Sequence, residues 1–173
     1  MKMVNVVDIK VGSFIRQWIE AVNGSDQISI DKYSNIWAII KQNLDLLPQD
    51  FKLQEDRSEY IRIELLDAHN SKSYNRTEER ELHMNYLYRC YVSEAGQAAI
   101  KRYLENQFRA SFRAYMVGRT SDGQQCIITR SIGSFLSDYN LPRDDKTIVS
   151  RLSKDWYRYR VKNPDKYALP FFF

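Results

Sequence analysis

Thr147, Arg151, Lys154 and Arg158 recur at spacings of three and four residues, which on a helix advancing about 100° per residue gathers them into one narrow stripe. Cations interleaved with a small hydroxyl along a stripe suit the capture of phosphate oxygens. Arg143 and Lys146 add charge at the start of the same segment. The other side of residues 144–162 carries Ile148, Val149, Leu152, Trp156 and Tyr159, so an apolar anchor would hold a basic ridge outward. A second stripe, Arg102, Arg109 and Arg113, lies opposite Ile100, Leu104, Phe108, Ser111 and Tyr115 in a helix expected over residues 95–117 and capped by Ser93. These nine residues form the expected nucleic-acid-binding set, with DNA as the first candidate. The competing reading is that both stripes are ordinary solvated surface.

Other chemistries find little support. His69 and His83 stand apart, with no second His or Cys at ligand spacing, so no metal site is expected. The glycines are scattered singly and form no phosphate cradle, and no nucleophile elbow is present. Asp56, Glu59 and Glu64 are close in sequence, yet Glu59 and Glu64 have opposite strand parity, which favours a solvated strand edge over a carboxylate pair. Twelve tyrosines invite a tyrosine-nucleophile reading, but such a residue needs an Arg/His cluster around it. No catalytic residue, metal or cofactor is assigned, and the protein is read as a non-enzyme.

Residues 131–139 read as a short helix ended by Asn140-Leu141-Pro142, and the basic helix follows. From Phe135 to Leu152 the order of apolar positions resembles a helix-turn-helix segment, which implies a regulatory DNA-binding role. The interval from Leu141 to Ile148 is about two residues longer than the compact turn of that motif. Asp144 and Asp145 suit the helix dipole but would repel a phosphate at that end. Within Trp156-Tyr157-Arg158-Tyr159-Arg160, Tyr157 is off the anchor face and is the candidate for stacking on an unpaired base.

The formal charge of +4 is unevenly placed. Residues 1–96 carry 12 Lys and Arg against 15 Asp and Glu, while residues 97–162 carry 13 against 6, a net +7. A positive surface concentrates polyanions whatever scaffold supports it. The same polarity supports an alternative function, an assembly module. In that reading the acidic half of one copy meets the basic half of another, and the apolar tail ending in Phe171-Phe172-Phe173 docks between subunits as a homo-oligomer. The N-terminal apolar run is too short for a signal peptide, no run approaches the ~18 residues of a membrane helix, and Cys90 and Cys126 form no disulfide framework. A cytoplasmic protein without a membrane partner is expected.

The elements required are α+β: about five helices around a small antiparallel sheet. With 43% hydrophobic residues the chain can bury a core, and one domain is expected, with a possible subdomain cut in the polar stretch 67–77. Residues 12–23 fit a helix with Phe14, Trp18, Ile19 and Val22 inward and Gly24 as its stop. Residues 27–30 are too short to classify. Residues 31–46 fit a second helix with Ile36, Trp37, Ile39, Ile40 and Leu44 inward, ended by Pro48. The sheet is expected from residues 59–66, where Ile61, Ile63 and Leu65 alternate with polar positions, from 82–92, and from 125–129 after a turn at Ser121-Asp122-Gly123. A helix over residues 78–92 is the alternative for the second strand.

Overall fold

A computed structural model describes residues 6–30, 34–46, 55–65, 90–121 and 128–163. The architecture is α+β, with five helices among the described residues. The chain divides into two compact units, Met1–Glu105 and Asn106–Phe173.

The first unit contains β1 (Val6–Lys10), α1 (Ser13–Asn23), β2 (Gln27–Ile30), α2 (Asn35–Gln42), β3 (Leu44–Leu46), β4 (Tyr60–Leu65) and β5 (Cys90–Val92). α3 (Glu94–Ser121) begins in this unit and crosses the boundary. The main sheet is mixed rather than wholly antiparallel. Its order is β1-β4-β2, with β1 antiparallel and β2 parallel to β4. Val7 faces Ile63 and Ile9 faces Ile61 across the ladder, and all four are buried. On the opposite face Asp8 pairs with Arg62, whose Nε and Nη2 donate to the two carboxylate oxygens at 2.8 and 2.9 Å. The Asp8 side chain is 3% exposed, and the guanidinium is what makes a carboxylate tolerable there.

β1 and β2 are each five residues or fewer, too short for an alternating pattern to declare itself. α1 starts at Ser13 and closes at Gly24, whose φ of 72° and N–H bond to the Glu20 carbonyl, 2.8 Å, form a left-handed cap. Its buried residues are Ile15, Trp18 and Ile19; Phe14 is half-buried and Val22 is exposed, so the inward face lies nearer Ile15 than expected.

The expected helix over 31–46 is shorter. Ser34 caps α2 by accepting from the Trp37 amide at 3.1 Å. Asn43 ends it by turning its side-chain Nδ2 back to the Ile39 carbonyl, 2.8 Å, and Leu44 enters β3 rather than a helix face. β3 pairs antiparallel with β5 in a second, two-stranded sheet, so Cys90–Val92 is a strand but does not join β4 in one sheet as expected; the remainder of 82–92, the 67–77 stretch, His69 and His83 lie outside the described residues. Ser93 caps α3 as expected, its Oγ accepting from the Gly96 amide at 3.2 Å. Along α3, Ile100, Leu104, Phe108, Phe112 and Met116 are buried at four-residue spacing, while Ser111 and Tyr115 are half-buried.

The second unit consists of the rest of α3, α4 (Ile128–Asp138) and α5 (Lys146–Lys162). Ile128 and Thr129 are helical, which corrects the expected strand at those two positions; residues 125–127 lie outside the described residues. Their β-branched side chains favour strands only weakly. The apolar face of the following Ile132, Phe135 and Leu136, all fully buried, draws the segment into a helix. Phe135 centres the core, with the rings of Phe108, Phe112 and Tyr115 edge-on at centroid distances of 5.9, 5.2 and 5.2 Å.

At Gly96 a Cβ would stand 2.5 Å from the Asn43 Cβ and 2.8 Å from Val92 Cγ1. Gly96→Ala should therefore destabilise the protein by about 1–3 kcal/mol through overpacking. A lowered denaturant midpoint measures this.

Candidate nucleic-acid interface

The loop between α4 and α5 is set by Asn140, the one non-glycine residue with positive φ, 51°, among the described residues. Its amide donates to the Ser137 carbonyl at 3.1 Å and that of Leu141 to the Leu136 carbonyl at 2.7 Å. These bonds form a Schellman cap, completed by burial of Leu141. Residues 142–145 are exposed, with a bend at Arg143 and Asp144, and the next helix starts where Asp145 caps it, accepting from the amides of Thr147, 2.8 Å, and Ile148, 3.3 Å.

α5 is anchored on one side. Leu152 and Trp156 are buried, Trp156 completely, while Ile148, Val149 and Tyr159 are half-buried. The Trp156 ring stacks on Tyr159 with centroids 5.8 Å apart and planes 27° from parallel. Arg113 of α3 lies over the Tyr159 ring, 5.0 Å from its centroid, and forks Asp155 through Nε at 2.9 Å and Nη2 at 2.7 Å. The hydrogen bonds to Asp155 hold the Arg113 guanidinium pKa above its ordinary value. Arg113 thus belongs to the anchor and its charge is matched, although its spacing placed it in the second basic stripe.

The other side of α5 is open. Lys146, Ser150, Arg151, Lys154 and Arg158 are exposed, as is Thr147 at the first turn. Lys146, Thr147, Ser150, Arg151 and Lys154 line a shallow surface depression of about 460 Å³. Ion pairs among the described residues engage Lys10, Arg16, Arg57, Arg62 and Arg113, and Lys146, Lys154 and Arg158 are in none of them. Arg143, on the loop, passes beside Gly133 of α4. A Cβ there would lie 3.5 Å from the Arg143 Nε, an ordinary van der Waals contact. Arg109 is exposed on the part of α3 in this unit; Arg102 is exposed on the part in the first unit.

Ser150 is the lining residue that the stripe of cations did not single out. A small hydroxyl three residues after Thr147 and four before Lys154 was the available signal. The asymmetry of charge follows the two units: Met1–Glu105 carries 14 Lys and Arg against 16 Asp and Glu, and Asn106–Phe173 carries 12 against 6. Of the carboxylates weighed for catalysis, Glu59 bridges Lys10 at 2.9 Å and Asp56 accepts from the Ser58 amide at 2.9 Å. The latter bond holds Asp56 below its ordinary pKa. The Glu64 side chain lies outside what is described. No group of three or more potential metal ligands occurs among the described residues, and no helix among them is long and apolar enough to cross a membrane. No protein-family model, curated protein or solved structure matches the chain.

Trp156→Ala would empty the fully enclosed site that seats α5. Loss of about 3–5 kcal/mol is expected, read as a lower melting temperature.

Proposed function

We propose that this protein is a non-enzymatic nucleic-acid-binding protein that holds the phosphate backbone on the outward face of α5. The single observation that carries the reading is the ridge of exposed cations, Lys146, Arg151, Lys154 and Arg158, with Thr147 and Ser150 between them. Cations at this density, on a unit with 12 Lys and Arg against 6 Asp and Glu, displace the counterions condensed on a polyanion. Hydroxyls between them supply short hydrogen bonds to phosphate oxygens. Arg143 and Arg109 extend the positive field of the same unit, and the helix-turn-helix-like order of α4 and α5 is consistent with a regulatory role on DNA.

The test is a charge reversal that spares the anchor. Arg151→Glu together with Arg158→Glu should leave melting nearly unchanged, because exposed charges contribute little to folding. The same pair should weaken binding to a labelled DNA strongly. Every phosphate that the variant no longer neutralises should flatten the dependence of log K on log salt by about 0.9 on duplex and about 0.7 on a single strand. A stable double variant with unaltered affinity and salt slope would dismiss the ridge as the binding surface.

The opposite charges of the two units favour one second reading, self-assembly through unlike surfaces. It requires an oligomer at low salt that dissociates as salt is raised, measured by light scattering. A monomer at every salt concentration removes it.

A further inference from the structure

Three large hydrophobic residues are exposed among the described residues: Val22, Tyr157 and Val161. Two of them stand together. Tyr157, 70% exposed, and Val161, 61% exposed, are one turn apart on α5, and i,i+4 side chains of a helix are neighbours. By helical phase they border the ridge, with Lys154 three residues before Tyr157 and Arg158 immediately after it. The adjacent Trp156 is completely buried, so the exposure of Tyr157 follows from the phase of an anchored helix and not from fraying.

We propose, resting on the nucleic-acid reading above, that the ridge takes single-stranded nucleic acid, with an unpaired base stacked on Tyr157 and the flanking phosphates held by Lys154, Arg158 and Arg151. An aromatic ring in a cationic groove is the recurring platform for single strands, because every base has a face to stack. In a duplex those faces are covered, and Tyr157 would meet only sugar and phosphate.

The other end of the helix argues the same way. Groove-reading helices lead with their N-terminal residues, but here Asp145 occupies the amides of Thr147 and Ile148, and Asp144 is exposed beside it. Two carboxylates at the leading end oppose entry between the phosphate walls of a duplex. A strand lying along the flank of α5, from Ser150 to Arg158, meets Arg151, Lys154 and Arg158 over about 12 Å of helix and avoids that end.

The experiment compares three labelled probes of equal length by fluorescence anisotropy: an oligothymidylate, an abasic oligonucleotide with the same phosphates and no bases, and a duplex. The oligothymidylate should bind more tightly than either of the others at matched salt. Tyr157→Ala should weaken oligothymidylate binding at least about fivefold, to the level of the abasic strand. Its affinity for the abasic strand, its salt slope and its melting temperature should be unchanged, and Tyr157→Phe should bind as the unaltered protein does. Equal binding of the oligothymidylate and the abasic strand by the unaltered protein, or an effect of Tyr157→Ala on all three probes alike, overturns the stacking site while the cationic ridge stands. Failure to bind any probe at low salt overturns the ridge and the stacking site together.

Discussion

The rotation of α5 about its own axis decides what the second unit shows to solvent. Three side chains fix it. Trp156 fills an enclosed site, Tyr159 lies against its ring, and Asp155 receives both arms of the Arg113 fork. A hydrophobic contact alone tolerates some sliding and rolling, because it is non-directional. A bidentate guanidinium–carboxylate pair does not, since two parallel bonds define a plane as well as a distance. Combining the two converts an amphipathic helix into one with a set phase, and from that phase follow the exposure of Lys154 and Arg158 and that of Tyr157.

The arginines on α3 and α5 show how the same residue type takes opposite parts. Arg113 is half-buried, pinned over an aromatic ring and neutralised by Asp155, so it contributes structure and little field. Arg158 is exposed and in no ion pair among those described, so it contributes field and little structure. Placement of the carboxylates makes the difference. Within α5 the one acid, Asp155, lies on the anchored side, and Asp145 is spent on the amides of the first turn. Negative charge is thereby confined to the anchored side of the helix and to its N-terminal end, where Asp144 is exposed beside Asp145.

The helical parts of this arrangement were legible because their signal is local. The four-residue recurrence along α3, the glycine closing α1 and the apolar and basic sides of α5 are each contained in a few adjacent turns. Phase was less secure: on α3 the inward row continues through Phe112 and Met116, not Ser111 and Tyr115, a displacement of one residue that the mixed composition of that helix did not resolve. Strands fared worse. β1 and β2 are too short for a period to show, and their stability comes from β4, distant in sequence. Isolated β-branched residues misled at Ile128 and Thr129, where the buried face that follows decides the conformation. In the candidate interface the exposed cations of α5 could be named from spacing, whereas the removal of Arg113 from that set could not, because Asp155 lies 42 positions away.

The fork between Asp8 and Arg62 joins residues 54 positions apart. That separation has a consequence for synthesis. β1 is made before β4, its partner in the ladder, which is completed only when Leu65 has been added. At about 5–20 residues per second, the gap corresponds to roughly 3–10 seconds during which Val7 and Ile9 have no strand to cover them. Over the same interval Asp8 lacks the cation that makes its burial tolerable, so it stays hydrated and marks the nascent edge with a charge. An inward-pointing charge of this kind discourages pairing with a neighbouring chain. The carboxylate that Arg62 pairs in the finished sheet thus guards β1 until β4 has been made.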